Sequence, residues 1–391
     1  MSALLLETLH RMQQEDGGVG IQQRASAVGE LSRLFTRGRD ALGSSYLNNP
    51  ALAAAYLTYF FPVNLSKIQV LLDELPHDWH NANGENRPLR VLDLGSGPGT
   101  GALAVLDWLN GHAPDRLKQL TVVAVDISAD ALSQAQRLWD AYTCEANIRN
   151  ARLVHHQGDL GAPNSGWRDD VAQRGPYDLI IVANCLNELF GRTRHCVKER
   201  TGLIADLIGL LSPHGTLMLI EPALRDTSRA LHEVRDLILL EKRCTVYSPC
   251  LHEGNCPALA NPHDWCHEER AWEPPASIQR IDRDVGFIKD ALKFSYVLLR
   301  TDRRTIAERS PSTFRMVSEL RKLKGDTRAW LCNELGRPEV GRLDRAQSTS
   351  NSAWNECQRG TIVRIRSITR KEGATLGRIP AEGTVEIVRT I

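Results

Sequence analysis

The chain has 391 residues, 42% hydrophobic and 24% charged, the balance of a globular protein with length for two or three domains. Its formal charge is only +1, and no apolar run approaches the roughly 18–20 residues of a membrane helix, so no membrane-spanning helix is expected. Nine cysteines, an odd number, point to a reducing compartment, where clustered thiols serve as metal ligands more readily than as disulfides.

Residues 1–85 read as a helical N-terminal domain. Met1–Arg11 has too short an apolar core and too early a glutamate for a signal or transit peptide, which favours a bacterial cytoplasm over a mitochondrial matrix. Ala25–Arg37 is amphipathic, Asn49-Pro50 punctuates, and Ala51–Phe61 and Leu65–Leu75 carry apolar residues at helical spacing. Tyr46-Leu-Asn-Asn-Pro50 and Tyr56–Asn64 hold aromatic and amide side chains that either pack and cap or reach a ligand. A polar run, His80–Arg87, links this domain to the next.

From Arg90 strands and helices alternate, which predicts right-handed crossovers and a doubly wound parallel sheet. Strands are expected at 90–94, 120–126, 151–156, 177–183 and 215–222, with helices beginning at Ala102 and spanning 129–142 and 223–242. The first strand runs into Asp93-Leu-Gly-Ser-Gly-Pro-Gly99, where Gly95, Gly97 and Gly99 let backbone amides approach a ligand. A phosphate-binding Walker loop needs a lysine that is absent, and the dinucleotide fingerprint needs its third glycine where Thr100 stands. The loop is similar instead to the S-adenosylmethionine loop of class I methyltransferases, with Asp93 and Ser96 part of it. Asp126 ends the second strand, where a carboxylate can accept ribose hydroxyls, and Asp159 follows the third, where that family often places an acid near the adenine. The fourth strand leads into Asn184-Cys-Leu-Asn-Glu188. This is neither the Asn-Pro-Pro-Tyr of base-amine methyltransferases nor the Pro-Cys of pyrimidine-carbon enzymes. Asn184, Asn187 and Glu188 are nevertheless the candidate catalytic residues, with capping of the next helix as the alternative.

Residues 243–275 then gather four cysteines and three histidines among prolines, with little apolar matter to pack, so metal coordination is the expected cross-link. Lys293–Arg300 returns to a strand pattern, making the cysteine segment an insertion in the domain spanning 86–300. Residues 301–391 read as a small β domain with alternating strands at 361–366 and 384–389. They hold 18 Lys and Arg against 11 Asp and Glu, whereas residues 1–300 carry an acidic excess, so an RNA partner is expected of this domain. Gln347–Ser352 reads as a short polar loop.

Pro249-Cys-Leu-His-Glu-Gly-Asn-Cys-Pro257, Asp264-Trp-Cys-His267, Lys293-Phe-Ser-Tyr296 and Trp330-Leu-Cys-Asn333, with the glycine loop, resemble the methyltransferase-like family associated with assembly of the small ribosomal subunit in mitochondria and bacteria. The resemblance implies a [4Fe-4S] cluster on Cys250, Cys256, Cys266 and Cys332, with Cys357 the substitute for Cys332, and docking on small-subunit RNA. A monomer with no membrane partner is expected. By their own spacing the cysteines leave zinc open, with His263 or His267 as a fourth ligand. Two functions are then expected: an assembly or translation factor that keeps the cofactor fold, or an active S-adenosylmethionine-dependent methyltransferase of ribosomal RNA.

Overall fold

The computed structural model describes residues 1–15, 21–36, 47, 49–84, 87–162, 166–191, 195–372 and 375–391. Tyr46 and Asn48 of the Tyr-Leu-Asn-Asn-Pro stretch lie outside the described residues. The chain divides into two compact units: Met1–Thr193, Gly209–Leu219 and Ala271–Leu292 form one, and Arg194–Ile208, Ile220–Arg270 and Lys293–Ile391 the other. The helical N-terminal segment therefore shares a unit with the first strands, and the C-terminal β domain shares one with the cysteine-rich segment.

The first unit opens with helices α1 (Ala3–Glu15), α2 (Ile21–Thr36) and α3 (Pro50–Ala55). Asn49 caps α3, its Oδ1 accepting from the amides of Ala51 at 2.9 Å and Leu52 at 3.3 Å, and Pro50 occupies the first turn, where no amide proton is needed. A π turn, Tyr56–Phe60, connects α3 to α4 (Phe61–Glu74) without a break. Strand β1 (Leu89–Leu94), helix α5 (Thr100–His112), β2 (Leu120–Asp126), α6 (Ala129–Glu145), β3 (Arg152–Gln157), α7 (Trp167–Arg174) and β4 (Tyr177–Ala183) come after it. The pairings are parallel, Leu89 opposite Leu120, Thr121 opposite Arg152 and Val91 opposite Leu179. β1, β2 and β4 are buried on both faces, as their continuous apolar runs require.

Next come α8 (Cys196–Ile208), β5 (Leu211–Pro222), α9 (Arg225–Leu240), β6 (Thr245–Ser248), β7 (Glu268–Ala271), α10 (Ala276–Val285) and β8 (Ala291–Arg300). The sheet order is β3-β2-β1-β4-β5-β8-β6, with β7 also on β8 and β6 antiparallel to β8. An order that runs outward from β1 in one direction and then from β4 in the other is the doubly wound, Rossmann-like arrangement of class I methyltransferases. Its topological switch lies between β1 and β4. Helices α7, α8 and α10 were not evident as elements in the sequence pattern.

Seven further strands build the β domain: β9 (Thr313–Met316), β10 (Arg321–Leu323), β11 (Asp326–Cys332), β12 (Glu339–Leu343), β13 (Ile362–Arg366), β14 (Leu376–Arg378) and β15 (Thr384–Arg389). Their order is β14-β12-β11-β9-β13-β15, with β10 on the side of β11. Met316, Ala329, Leu331, Val340, Trp354 and Val363 centre its core. The expected loop at 347–352 is instead mostly a 3₁₀ helix, Thr349–Glu356, because Ser348 and Asn351 form a reciprocal capping box and Trp354 is drawn into the core.

Candidate functional site

Beyond the carboxyl end of β1 the chain turns sharply through Gly95, Gly97 and Gly99, with φ of +65°, +52° and +83°. A side chain at Gly95 would collide with Cys185, whose sulfur stands 2.6 Å from the β-carbon position, so the glycine allows the turn after β4 to close against the loop. The Cys185 thiol donates to the Leu94 carbonyl at 3.3 Å across the same contact. The amides of Gly95 and Ser96 donate to the Val125 carbonyl at 2.8 and 3.1 Å. The loop is thereby fixed to β2.

Asp126 receives the Gly97 amide on Oδ2 at 2.8 Å and the Ser128 amide on Oδ1 at 2.9 Å. Burial pushes its carboxyl upward against those bonds and a further one from the Ile127 amide. Asp93 plays a different part: only 2% exposed, it accepts from the Ala102 amide at 2.9 Å and closes the start of α5 from below the loop. Burial, with Asp126 adding to it, pushes Asp93 up to about 7 although the amides of Ala102 and Gly101 oppose the shift. Ser96 is buried within the turn.

The structure thus brings Asp93, Gly95, Ser96, Gly97, Gly99 and Asp126 into one loop cluster. Asp159 is exposed after β3, and its Oδ1 accepts from the Gly161 amide at 2.8 Å, closing a local turn. Asn184 adopts φ +58° at the end of β4, and Leu186–Glu188 form a single 3₁₀ turn that leaves Glu188 exposed.

Tyr56 completes this end of the sheet. Its hydroxyl lies 3.5 Å from Thr100 Oγ1, at the first residue of α5. Burial raises it, Thr100 and Asn64 oppose that through hydrogen bonds, and the charges of Glu188 and Asp126 reach it. One phenol therefore senses both the ribose-side acid and the turn after β4. The Tyr56–Asn64 motif held this residue, but the π turn that orients it has no signature in the sequence.

In the second unit, Cys250, Cys256, Cys266 and Cys332 act on one another. Burial, then Cys250, pushes Cys256 up to about 11. Cys266 is raised much further by burial and by the other three thiols, and Cys332 rises through burial, Cys250 and Cys256. Cys250, Cys266 and Cys332 line a cavity of about 30 Å³, with His232, Pro249 and Tyr296 among its other walls. Cys357, the substitute considered for Cys332, sits in the β-domain core with its thiol on the Ala353 carbonyl at 3.2 Å.

Arginines of α9 hold this poorly packed segment. Arg229 donates to the carbonyls of Ala258, Leu259, Asn261 and Asp264 at 2.8–3.3 Å. Arg235, fully buried, donates to the carbonyls of Gly254 and His252 and to Asp236, and the charges of Cys250 and Cys256 support its own. Asp236 in turn accepts from the Cys256 amide at 2.8 Å. Among the described residues no three His, Cys, Asp or Glu side chains stand close enough to share one metal ion. His263 is exposed, and His267 Nε2 stands 3.1 Å from Glu269 Oε1.

The model of the family described as mitochondrial small ribosomal subunit Rsm22 matches residues 50–348. The chain belongs to this family. Curated relatives include Probable polyketide synthase 29 and Probable polyketide synthase 32 of Dictyostelium discoideum, each 25% identical over 143 residues, 35% of this chain. The matched region spans about 4% of the length of those proteins. Among solved structures, an O-methyltransferase family protein from Burkholderia thailandensis is 18% identical, with coverage of 77% of this chain and 72% of that one and a TM-score of 0.33. Magnesium protoporphyrin IX methyltransferase from Synechocystis, solved with bound SAH, is 15% identical, with coverage of 65% and 95% and a TM-score of 0.37. Likenesses this distant carry no argument beside the strand order and the family match. Rsm22 membership ties the protein to the small ribosomal subunit, and among the described residues no helix is long and apolar enough to cross a membrane.

Proposed function

We propose that this protein is a monomeric assembly or translation factor of the small ribosomal subunit that binds S-adenosylmethionine, ribosomal RNA and a [4Fe-4S] cluster. The matching family is named for the small subunit of the mitochondrial ribosome. The observation that carries the proposal is the meeting of Cys250, Cys256 and Cys266 with Cys332, some 66 residues further along the chain, in one group of thiols that act on one another. Burial raises Cys256, Cys266 and Cys332, which favours their neutral thiols until a cation takes them, and Arg235 supplies one compensating charge beside them. A bound cluster would supply the cross-link that the apolar residues of this segment do not. Anaerobic purification tests this: a brown protein with about four irons and absorption near 400 nm is expected. A colourless protein with one zinc would overturn it.

S-adenosylmethionine is assigned to the crevice beyond β1, with Gly95–Gly99 facing it, Asp126 on the ribose and Asp159 toward the adenine. Asp93 would act from beneath by fixing α5. Methyl transfer to ribosomal RNA is the second reading, and the electrostatic reach of Glu188 to Tyr56 beside Asp126 favours it. Asn184, Asn187 and Glu188 would then orient the acceptor. Tritiated cofactor incubated with immature small subunits separates the readings. Label on the RNA that vanishes in Asp126→Ala makes the protein an enzyme, whereas cofactor binding without label leaves it a factor.

A further inference from the structure

The outward face of β10, β11, β12 and β14 carries a row of arginines, of which Arg321 pairs with Glu339 of β12. Arg321 is opposite Arg328, Arg328 opposite Gly341, and Gly341 opposite Arg378, so three arginines flank a glycine across four strands. The inward residues of the same strands, Ala329, Leu331 and Val340, belong to the core, which leaves this row on the other face. Asp326 holds two of the arginines at once, Arg328 Nε at 2.5 Å and Arg378 Nη1 at 2.7 Å. One carboxylate neutralises one guanidinium, so the pair keeps a net positive charge.

Gly341 is what lets the two arginines lie there. A β-carbon at that position would stand 2.8 Å from Arg328 Cγ and 3.0 Å from Arg378 Nη1. The glycine leaves a shallow basic cradle, and the exposed Lys324 lies in the turn of the β10–β11 hairpin beside it. Two residues along β11 from Arg328, and so about 7 Å away on the same face, Trp330 is 38% exposed. Its backbone is tied by its amide to Ser318 Oγ at 2.8 Å, and the Arg337 guanidinium lies 5.9 Å from its ring centroid. An indole held open to solvent beside a fixed cationic pair has the two parts a nucleotide needs, one for the phosphate and one for the base.

We infer that this face binds single-stranded RNA, one nucleotide placing its phosphate on Arg328 and Arg378 and its unpaired base on Trp330. The inference rests on the RNA reading of the β domain and specifies the form of RNA it takes. Bases in a duplex are already stacked and face a groove that side chains do not enter, so an indole platform selects unpaired segments. Free phosphate would use the arginines alone, and an acidic peptide would gain nothing from the indole.

Fluorescence anisotropy of the full-length protein with a short oligoribonucleotide and its perfect duplex, over a salt series, tests this. The single strand should bind more tightly. Trp330→Ala should weaken it about five- to hundredfold at unchanged salt slope, since stacking involves no counterion release. Trp330→Phe should recover most of the loss, and thermal melts report whether each variant is folded. The double variant Arg328→Gln, Arg378→Gln removes one phosphate contact and should lower the salt slope by about 0.7. Wild-type protein that binds the strand while a folded Trp330→Ala variant binds equally well would overturn the inference and leave the RNA reading standing, as would preference for the duplex. Wild-type protein that binds no RNA would overturn both.

Discussion

Arg315 in β9 and Arg342 in β12 are almost wholly buried, and each finds its hydrogen-bond partner outside its own strand. The glycine loop was evident because Gly95, Gly97 and Gly99 sit where the backbone turns with positive φ, and residue type alone carries that information. Much of the β domain was not, because Arg315 and Arg342 are 3% and 1% exposed and interrupt the alternation expected of β9 and β12. Each is satisfied from afar: Arg315 Nη2 by Glu268 at 2.6 Å, Arg342 by the Asn351 carbonyl at 2.8 Å. Pairing over such separations leaves no local pattern to read. Asp93 gives a residue-scale prediction of the same kind. Its folded pKa of about 7 is raised above its ordinary value, so it favours the folded state most below about pH 4 and loses that contribution as pH rises through 7. Three pH units correspond to on the order of 4 kcal/mol. Asp93→Asn keeps an acceptor for the Ala102 amide but cannot ionise. Urea unfolding of the ligand-free protein should therefore show wild type losing stability from pH 5 to 8 relative to this variant, and parallel profiles would mean that Asp93 is not buried as described.

At the scale of elements, apolar runs announced β1, β2, β4 and β5, whereas the π turn Tyr56–Phe60 was hidden inside what read as one helix. Inserting one residue per turn rotates the succeeding helix about its axis, so α3 and α4 present different faces although the chain never leaves the helix. The turn begins at Tyr56, whose hydroxyl meets α5 at Thr100 and senses Asp126 and Glu188. Under the proposed function this phenol borders the cofactor. Tyr56→Phe removes one hydroxyl from a fold that keeps its ring packing against Phe60. Calorimetry should show S-adenosylmethionine binding weakened about two- to tenfold, the worth of one hydrogen bond, with little change in melting temperature. Unchanged affinity would make Tyr56 a packing residue only. The cysteine segment teaches a related lesson: its cysteines suggested a metal, but the Arg229 and Arg235 staples come from α9, which read simply as an amphipathic helix.

For the whole molecule, domain boundaries drawn along the sequence and compact units found in space answer different questions. Residues 243–275 and 301–391 looked like an insertion and an appended domain, yet Ile220–Arg270 and Lys293–Ile391 belong to a single unit. All four proposed cluster ligands lie in that unit, and none lies in Met1–Thr193. Because metal binding free energy is folding free energy for a site that the apo chain does not hold by itself, losing the cluster should loosen this unit selectively. Contributions from both sides of the cluster should fall together: β6 and the 250–266 loops through Cys250, Cys256 and Cys266, and β11 through Cys332. The parallel strands β1, β2 and β4, which carry none of the four cysteines, have no share in that energy. Hydrogen exchange before and after anaerobic chelation of the iron measures this directly. Protection should drop in 245–271 and 313–343 at the same time, while 89–94, 120–126 and 177–183 keep theirs. Loss confined to the cysteine segment would remove Cys332 from the ligand set, and equal loss in all regions would mean that the cluster supports the whole chain and not the second unit.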